Sequence, residues 1–283
     1  MSYQTVDVRP IAGALGAELA GVDLSQDLDN EVLSDIHQAF LDHLVIFFRD
    51  QHITPDQHKA LGRRFGTLNI HPFVQGMEGH PEIVEVIREP GEAFNWGGSW
   101  HTDVTFLEKP ALGSILYARA VPPHAGDTIW ANMYLAYEAL SDGMKAMLGS
   151  LRAVHGSGAP TRFSEHYKSM HLKETEGAIE SIHPVVRTHP ETGRKLLFVN
   201  SGFTKRFEDM TVEESRPLLD FLFRHQQRPE FSCRFRWRKD SIAFWDNRAT
   251  HHLAIADFHG GAGGQTDVRR VMHRVTIDGD RPV

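Results

Sequence analysis

The sequence predicts a mainly β fold with flanking α-helices, arranged as a β-sandwich or a barrel. Short segments rich in β-branched and aromatic residues outnumber those whose apolar residues recur with a helical period. Strands and helices also fail to alternate regularly, which argues against a doubly wound parallel sheet. The 283 residues contain no stretch with the composition of a linker. We therefore expect a single domain over residues 1–283.

Three helices are predicted with clear limits. In residues 30–43, apolar side chains recur every three or four positions and give the helix one apolar face. A second helix begins after Thr54, because Thr54 and Gln57 form a capping-box pattern and Pro55 suits the first helical position. A further capping box opens the helix predicted over residues 211–227.

Most of the remaining regular segments are predicted strands. They are short, apolar or alternating, and bounded by Gly, Pro and small polar residues. Residues 189–194 contain Pro and Gly and predict a hairpin turn between two of them. The predicted strands are Leu44–Phe48, Ile83–Arg88, Gly113–Arg119, Thr128–Trp130, Val185–Thr188, Lys195–Val199, Ser232–Arg238, Ser241–Trp245 and Arg270–Ile277.

The amino-acid composition limits the classes of function that this chain can have. With 30 Lys+Arg against 37 Asp+Glu the net charge is −7, which does not favour binding to nucleic acid or to an anionic membrane. The longest apolar run, residues 44–48, is far too short to cross a bilayer. A single cysteine excludes an internal disulfide, and with no visible signal-peptide core it predicts a cytoplasmic location.

The segment Trp100–Asp103 contains the candidate metal-binding pattern. On an extended chain, residues two apart point to the same side, so His101 and Asp103 can reach one metal ion. A His-x-acid triplet occurs three times, about as often as chance predicts, but only this one lies among strand-forming residues. Either His251 or His252 could add a third ligand and complete a two-His-one-carboxylate face, which is typical of non-haem Fe(II) oxygenases. The alternative is a surface histidine pair beside a turn.

The last predicted strand places two arginines on one face. Arg270 and Arg274 lie four residues apart, about 13 Å along a strand, with Met272 between them. Two guanidinium groups at that spacing suit two separate anions. An oxygenase that uses 2-oxoglutarate needs one of them for the distal carboxylate, and the other would hold an acidic substrate. The alternative is that both form outward salt bridges.

Four motifs occur in a specific order along the chain. They are Trp100–Phe106, Gly126–Trp130, Trp245–Arg248 followed by His252, and Arg269–Arg274. In these motifs, and over nearly its whole length, the sequence resembles the taurine dioxygenase (TauD/TfdA) family of Fe(II)/2-oxoglutarate-dependent dioxygenases. The resemblance implies a double-stranded β-helix, or jelly-roll, core.

The resemblance also implies a role for individual residues. The implied catalytic Fe(II) ligands are His101, Asp103 and His252. The residues that match the binding site for the distal carboxylate of 2-oxoglutarate are Thr128 and Arg270. The residues that match the substrate site are His71 and Arg274, which grip an anionic head group, with Val104 and Phe203 as pocket walls. The implied cofactors are Fe(II), with 2-oxoglutarate and O2 as cosubstrates.

The implied activity is hydroxylation of a small anionic substrate, which is an alkylsulfonate, an alkyl sulfate ester or a related carboxylate, with formation of succinate and CO2. For an alkylsulfonate or an alkyl sulfate ester, collapse of the product to a carbonyl releases sulfite or sulfate. Val74, Gly97 and about Pro160 stand where the taurine enzymes place polar groups for the amine. An ammonium group would be left desolvated there, which argues against taurine itself as the substrate.

Other interpretations stay open at this stage. The chain could be an aryloxyalkanoate dioxygenase of the same family, a metal-dependent hydrolase with the same three ligands, or a non-catalytic jelly-roll binding protein. The expected partners are a small anionic organic molecule and further copies of the chain, as a dimer or tetramer, with no nucleic acid and no membrane. The glycine-rich insert 260–264 lengthens the segment between His252 and Arg270.

Overall fold

The computed structural model describes residues 3–90, 92, 96–158, 172–173, 177–258 and 269–283. Two features singled out in the sequence, the position near Pro160 and the insert 260–264, lie outside the described residues. The helices are α1 Asn30–His43, α2 Pro55–Arg63, α3 Met133–Glu138, α4 Asp142–Leu148 and α5 Val212–Gln226. The strands are β1 Asp7–Pro10, β2 Ala17–Ala20, β3 Val45–Phe48, β4 Ile83–Arg88, β5 Ala111–Ala120, β6 Thr128–Asn132, β7 Arg152–Gly156, β8 Glu180–Pro184, β9 Val186–Thr188, β10 Lys195–Leu197, β11 Thr204–Phe207, β12 Ser232–Phe235, β13 Ile242–Asp246, β14 Thr250–Ala254 and β15 Arg270–Asp278.

Two sheets enclose the main core, and all their strand pairs are antiparallel except β2 with β3, which is parallel. The larger has seven strands in the order β1-β2-β3-β13-β5-β15-β4, and the smaller has the order β12-β6-β14. Phe47 of β3 stacks 3.9 Å from Phe235 of β12, measured between ring centroids. Trp130 of β6 meets Trp245 of β13 at 5.8 Å. Aromatic pairs from both sheets therefore fill the space between them, and the expected mainly β, jelly-roll fold is confirmed.

Helices α1 and α2 cover the opposite face of the large sheet. Along β3, Val45 and Phe47 face the small sheet, while Ile46 and Phe48 face the helices. This alternation follows from the two-residue period of a strand. Phe40 of α1 stacks on Phe244 of β13. The apolar face predicted for residues 30–43 therefore packs against the large sheet. The large sheet is consequently buried on both sides.

Both predicted capping boxes are confirmed. The Thr54 hydroxyl accepts from the backbone N–H of Gln57, and the Gln57 side chain accepts from the backbone N–H of Thr54. Thr211 and Glu214 exchange the same pair of hydrogen bonds at the start of α5. These caps satisfy backbone donors that a helix N-terminus otherwise leaves unpaired.

Several elements differ from the sequence prediction. The predicted strand 232–238 ends at Phe235. Residues 103–106, interpreted as part of a strand wall, form turns instead, and only His101 pairs in an isolated bridge. Helix α3 was not predicted because its six residues, three of which are buried, are too few to show a helical period. In the described ranges no helix is both long and apolar enough to cross a bilayer.

Candidate metal centre and anion sites

Three buried side chains converge at one end of the core. His101 Nε2 lies 3.8 Å from Asp103 Oδ1, and His252 Nε2 lies 4.0 Å from the same oxygen. One ligand atom from each residue lies within 4.8 Å of the other two. All three side chains are more than nine-tenths buried. This spacing allows the three residues to coordinate one metal ion from one side.

Backbone pairing brings the two histidines together. His101 and His252 exchange both backbone hydrogen bonds, of 3.1 and 2.7 Å, although they lie about 150 residues apart in the sequence. Their rings are 4.2 Å apart between centroids. Because β14 is a strand, His251 and His252 point to opposite faces. His252 alone of this pair belongs to the cluster of potential ligands.

Asp103 is held by a dense set of donors. Its Oδ2 accepts from Ser114 Oγ at 2.7 Å and from Asn247 Nδ2 at 3.4 Å. Its Oδ1 accepts from Arg274 Nη1 at 2.8 Å. Burial alone would raise the pKa of Asp103, but Arg274, the two histidines and Ser114 together hold that pKa well below its usual range. Asp103 is therefore an anion at neutral pH.

Both histidines are neutral imidazoles. Burial lowers the pKa of His101 and of His252, and it outweighs the opposing attraction of Asp103. His101 Nδ1 lies 2.7 Å from the carbonyl oxygen of Ser99 and donates to it, which leaves the Nε2 lone pair available for a metal ion. Two neutral imidazoles and one carboxylate are the donor set of mononuclear non-haem iron sites. The residues present therefore fit Fe(II).

Arg270 is a buried cation with an open donor face. No carboxylate of the described residues forms an ion pair with it, and its Nε is buried without a hydrogen-bond partner. Burial lowers the pKa of Arg270 to about 10, with Asp127 opposing and Arg88 adding to the decrease. A Cβ at Gly126 would lie 3.0 Å from Arg270 Nε, so the backbone at Gly126 lies against the side chain of Arg270. An anion is the ligand that such an environment favours.

A second cationic position lies beside the triad. Besides donating to Asp103, Arg274 has a buried Nε without a partner among the described residues. His71 Nδ1 accepts from the backbone N–H groups of Phe73 and Val74, at 3.2 and 3.1 Å. Burial, with Arg274 nearby, lowers the pKa of His71 to about 3. His71 is therefore a neutral imidazole whose proton is on Nε2, which is free to donate.

An apolar wall adjoins the metal cluster. Phe203 meets the ring of His101 at 6.0 Å and that of Phe106 at 5.2 Å, and Phe106 lies 5.4 Å from Phe73. Val104 belongs to the same buried group. Its φ of 49° is a conformation that β-branched residues rarely adopt. Strain of this kind is concentrated at binding and catalytic sites, and here it lies next to Asp103.

The fold and the cluster together define a class of protein, the jelly-roll non-haem iron oxygenases. The chain matches the profile of the family described as "Taurine catabolism dioxygenase TauD, TfdA family" over residues 7–276. It belongs to that family. Membership confirms the prediction of an Fe(II)/2-oxoglutarate-dependent dioxygenase, with Fe(II), 2-oxoglutarate and O2 as its cofactors.

Individual relatives agree with this membership. The chain is 36% identical to an alkylsulfatase of Acinetobacter baylyi, over 98% of this chain and 86% of that protein. It is also 36% identical to an alpha-ketoglutarate-dependent sulfate ester dioxygenase of Pseudomonas putida, over 98% of this chain and 91% of the relative. A crystal structure of a taurine dioxygenase from Burkholderia xenovorans superposes with a TM-score of 0.83 at 38% identity, covering 99% and 93% of the two chains.

Sequence reasoning missed the residues that support the site. Nothing in the local sequence marks Ser114 as a partner of Asp103, because a small polar residue in a strand has many possible roles. The contact between Arg274 and Asp103 was also not predicted, since the two residues lie in different elements. Asn247 belongs to the Trp245–Arg248 motif, but its hydrogen bond to Asp103 depends on the conformation of the turn after β13.

Proposed function

We propose that this dioxygenase oxidises a small organic sulfate ester or sulfonate with an apolar tail, using His101, Asp103 and His252 as Fe(II) ligands. The proposal rests on the buried His–Asp–His cluster and on two buried arginines, Arg274 beside the cluster and Arg270 at the start of β15. In each arginine, Nε has no hydrogen-bond partner among the described residues. A hydrolase would use the same cluster but would leave Arg270 without an anion to bind.

At the cosubstrate end, Arg270 and Thr128 hold the distal carboxylate of 2-oxoglutarate. Fe(II), when bound, supplies the oxidation chemistry that couples O2 and the decarboxylation of 2-oxoglutarate to hydroxylation of a C–H bond. The residues of the chain contribute binding and orientation. Burial of Arg270 strengthens its attraction for a carboxylate, because little water competes for the guanidinium group.

At the substrate end, Arg274 Nε and His71 Nε2–H are donors for the sulfate or sulfonate oxygens. Both groups are buried, so a head group without acceptor atoms would leave them unpaired at a cost of about 1–3 kcal/mol. Val74 is buried and apolar, and Gly97 lies against the ring of His101 and offers no side chain. This environment supports an alkyl tail in preference to the ammonium group of taurine.

The chemistry of such a substrate gives a defined product. Hydroxylation of the carbon that bears the sulfate oxygen gives an unstable hydroxy ester. Its collapse breaks the C–O bond to sulfate and leaves an aldehyde, so that one O2 and one 2-oxoglutarate yield aldehyde, sulfate, succinate and CO2. With a sulfonate, the C–S bond breaks and sulfite is released.

A substrate screen tests this proposal directly. Succinate formation with Fe(II), ascorbate and O2 is measured for alkyl sulfates, alkylsulfonates, aryloxyalkanoates and taurine. We expect the highest kcat/KM for alkyl sulfates or alkylsulfonates and a lower value for taurine. Preference for aryloxyalkanoates would reassign the substrate class, and turnover without 2-oxoglutarate or O2 would establish the hydrolase instead.

The adjacent histidines offer a matched pair of variants. His252→Ala should abolish iron-dependent succinate formation and reduce iron bound per folded protein at least tenfold, because it removes one of three ligands. His251→Ala removes an equally buried imidazole that faces away from the cluster, and iron per folded protein should stay within twofold. Equal iron binding by the two variants would contradict the ligand assignment.

The single domain, the cytoplasmic location and the dimer or tetramer stay predictions. The oligomeric state is measured by light scattering on the purified chain.

A further inference from the structure

We infer that Trp237 is a positioning residue of the cosubstrate site. Its indole N–H fixes the Thr128 hydroxyl as a hydrogen-bond donor directed toward the Arg270 pocket. The inference rests on the role proposed above for Thr128 and Arg270 and adds a residue that makes no direct contact with the cosubstrate.

The direction of one hydrogen bond is the first step. Trp237 Nε1 lies 2.9 Å from Thr128 Oγ1, and both residues are at most 3% exposed. An indole nitrogen donates and cannot accept, so the threonine oxygen must be the acceptor. The single hydroxyl hydrogen of Thr128 is therefore available for a different partner.

Among the described residues, the Thr128 side chain forms one hydrogen bond, the one that it accepts from Trp237. Its hydroxyl hydrogen has no acceptor in that part of the chain. Gly126, two residues before Thr128, lies against the side chain of Arg270, and we infer that a carboxylate held by that guanidinium group comes within reach of the hydroxyl. Such an oxygen accepts from both groups at once, and a hydrogen bond to a charged group is stronger than one between neutral groups.

The position of the indole is itself fixed by packing. Trp237 meets Phe235 edge to face at 5.1 Å and Trp130 at 6.4 Å. Strand β12 pairs Phe235 with Thr128, which places Trp237 just beyond the end of that strand pair. The indole N–H is therefore held toward Thr128 Oγ1 by the packing of its ring.

A pair of ligands isolates this effect. 2-Oxopentanoate has a methyl group where 2-oxoglutarate has its distal carboxylate, so it does not use the Thr128 donor. Each is titrated calorimetrically, without O2, into the Fe(II)-loaded enzyme and into Trp237→Phe. We expect Trp237→Phe to bind 2-oxoglutarate about 3–10-fold more weakly, since a donor loses its fixed orientation. The Kd for 2-oxopentanoate should change by less than twofold.

Two further variants separate positioning from simple packing. Replacement of Trp237 by 3-benzothienylalanine keeps the ring shape and substitutes sulfur for the N–H, so it should reproduce the loss even where Trp237→Phe folds poorly. In a Thr128→Val background, removal of the indole N–H should weaken 2-oxoglutarate binding no further. Additive losses, equal losses for the two keto acids, or no loss would overturn the inference.

The variant Arg270→Ala distinguishes failure of the inference about Trp237 from failure of the proposed function. If Arg270→Ala leaves the preference for 2-oxoglutarate over 2-oxopentanoate intact, the cosubstrate pocket is wrongly assigned and the role of Trp237 falls with it. If Arg270→Ala abolishes that preference but both Trp237 variants retain it, the inference about Trp237 alone is overturned.

Discussion

Arg270 and Arg274 occupy one face of β15 but have different surroundings. Arg274 donates to Asp103 at 2.8 Å, which ties it to the metal cluster. Arg270 has no ion-pair partner among the described carboxylates and lies against Gly126. Their backbones are about 13 Å apart along an ideal strand, and their guanidinium groups have different neighbours. We therefore propose that each arginine serves a different ligand.

This difference predicts that replacement of each arginine raises a different KM, that of the organic substrate for Arg274 and that of 2-oxoglutarate for Arg270. Arg274→Ala should raise the KM for the organic substrate about 30-fold or more, because a buried charged hydrogen bond is lost. The KM for 2-oxoglutarate should change by less than about threefold. Arg270→Ala should show the opposite ranking. Steady-state assays with each substrate varied in turn measure the split, and an inverted ranking would mean that the two assignments are exchanged.

At the scale of elements, the turn between β13 and β14 is fixed by a buried ionic group. Asp246 Oδ2 accepts from Arg248 Nη2 at 2.8 Å and from His189 Nε2 at 3.0 Å, and all three side chains are at most 3% exposed. Burial alone would raise the pKa of Asp246, but Arg248 and His189 hold it well below the usual range. This turn also positions Asn247, which donates to Asp103.

Removal of that carboxylate charge should destabilise the fold. In Asp246→Asn the buried guanidinium of Arg248 keeps its pair with Glu191 but loses the pair with Asp246. We expect a loss of about 3 kcal/mol in the free energy of unfolding, at the low end of the range for a broken buried pair. Glu138→Gln is the matched control, since its pair with Arg194 is about half exposed on both sides and should contribute less than about 1 kcal/mol. Urea unfolding of the two variants measures this, and equal losses would contradict the argument.

Elements with a strong local signal were predictable from the sequence. The limits of α1 and the cap of α2 follow from periodicity and from Thr54 with Gln57, and β4 was predicted with its observed bounds. Strand β14 was not predicted, because Thr-His-His-Leu-Ala has neither the alternation nor the apolar run of a typical strand. Its pairing with β6 and with His101 is set by tertiary contacts.

Contacts between residues that are distant in the sequence explain the features that the sequence did not predict. His101 and Asp103 could be proposed from their spacing, and His252 through the resemblance. The hydrogen bond from Trp237 to Thr128 joins residues that no local pattern connects, and the same holds for Ser114 and Asp103. Such pairs depend on sheet register, which the sequence of one chain does not reveal.

The molecule as a whole should lose stability in mild acid. His58, beneath β5, is fully buried, its Nε2 donates to the carbonyl oxygen of Ile115, and burial lowers its pKa to about 3. The unfolded chain binds a proton at this residue below about pH 6.5, whereas the folded chain does not. Stability is therefore full above that pH and decreases as the pH falls further.

His58→Gln tests this linkage, because a glutamine amide can keep the donor to Ile115 and cannot titrate. Between pH 7 and pH 5 the wild type should lose about 2 kcal/mol more unfolding free energy than the variant. Denaturant titrations at the two pH values measure the difference. Parallel pH profiles for the two proteins would show that His58 is protonated in the folded state.

The backbone pairing of His101 with His252 couples iron binding to folding. In the ligand set proposed above, two of the three donors come from one short segment, and the third joins them when β14 pairs with that segment. We therefore expect the folded chain to hold iron tightly and the unfolded chain to hold it weakly.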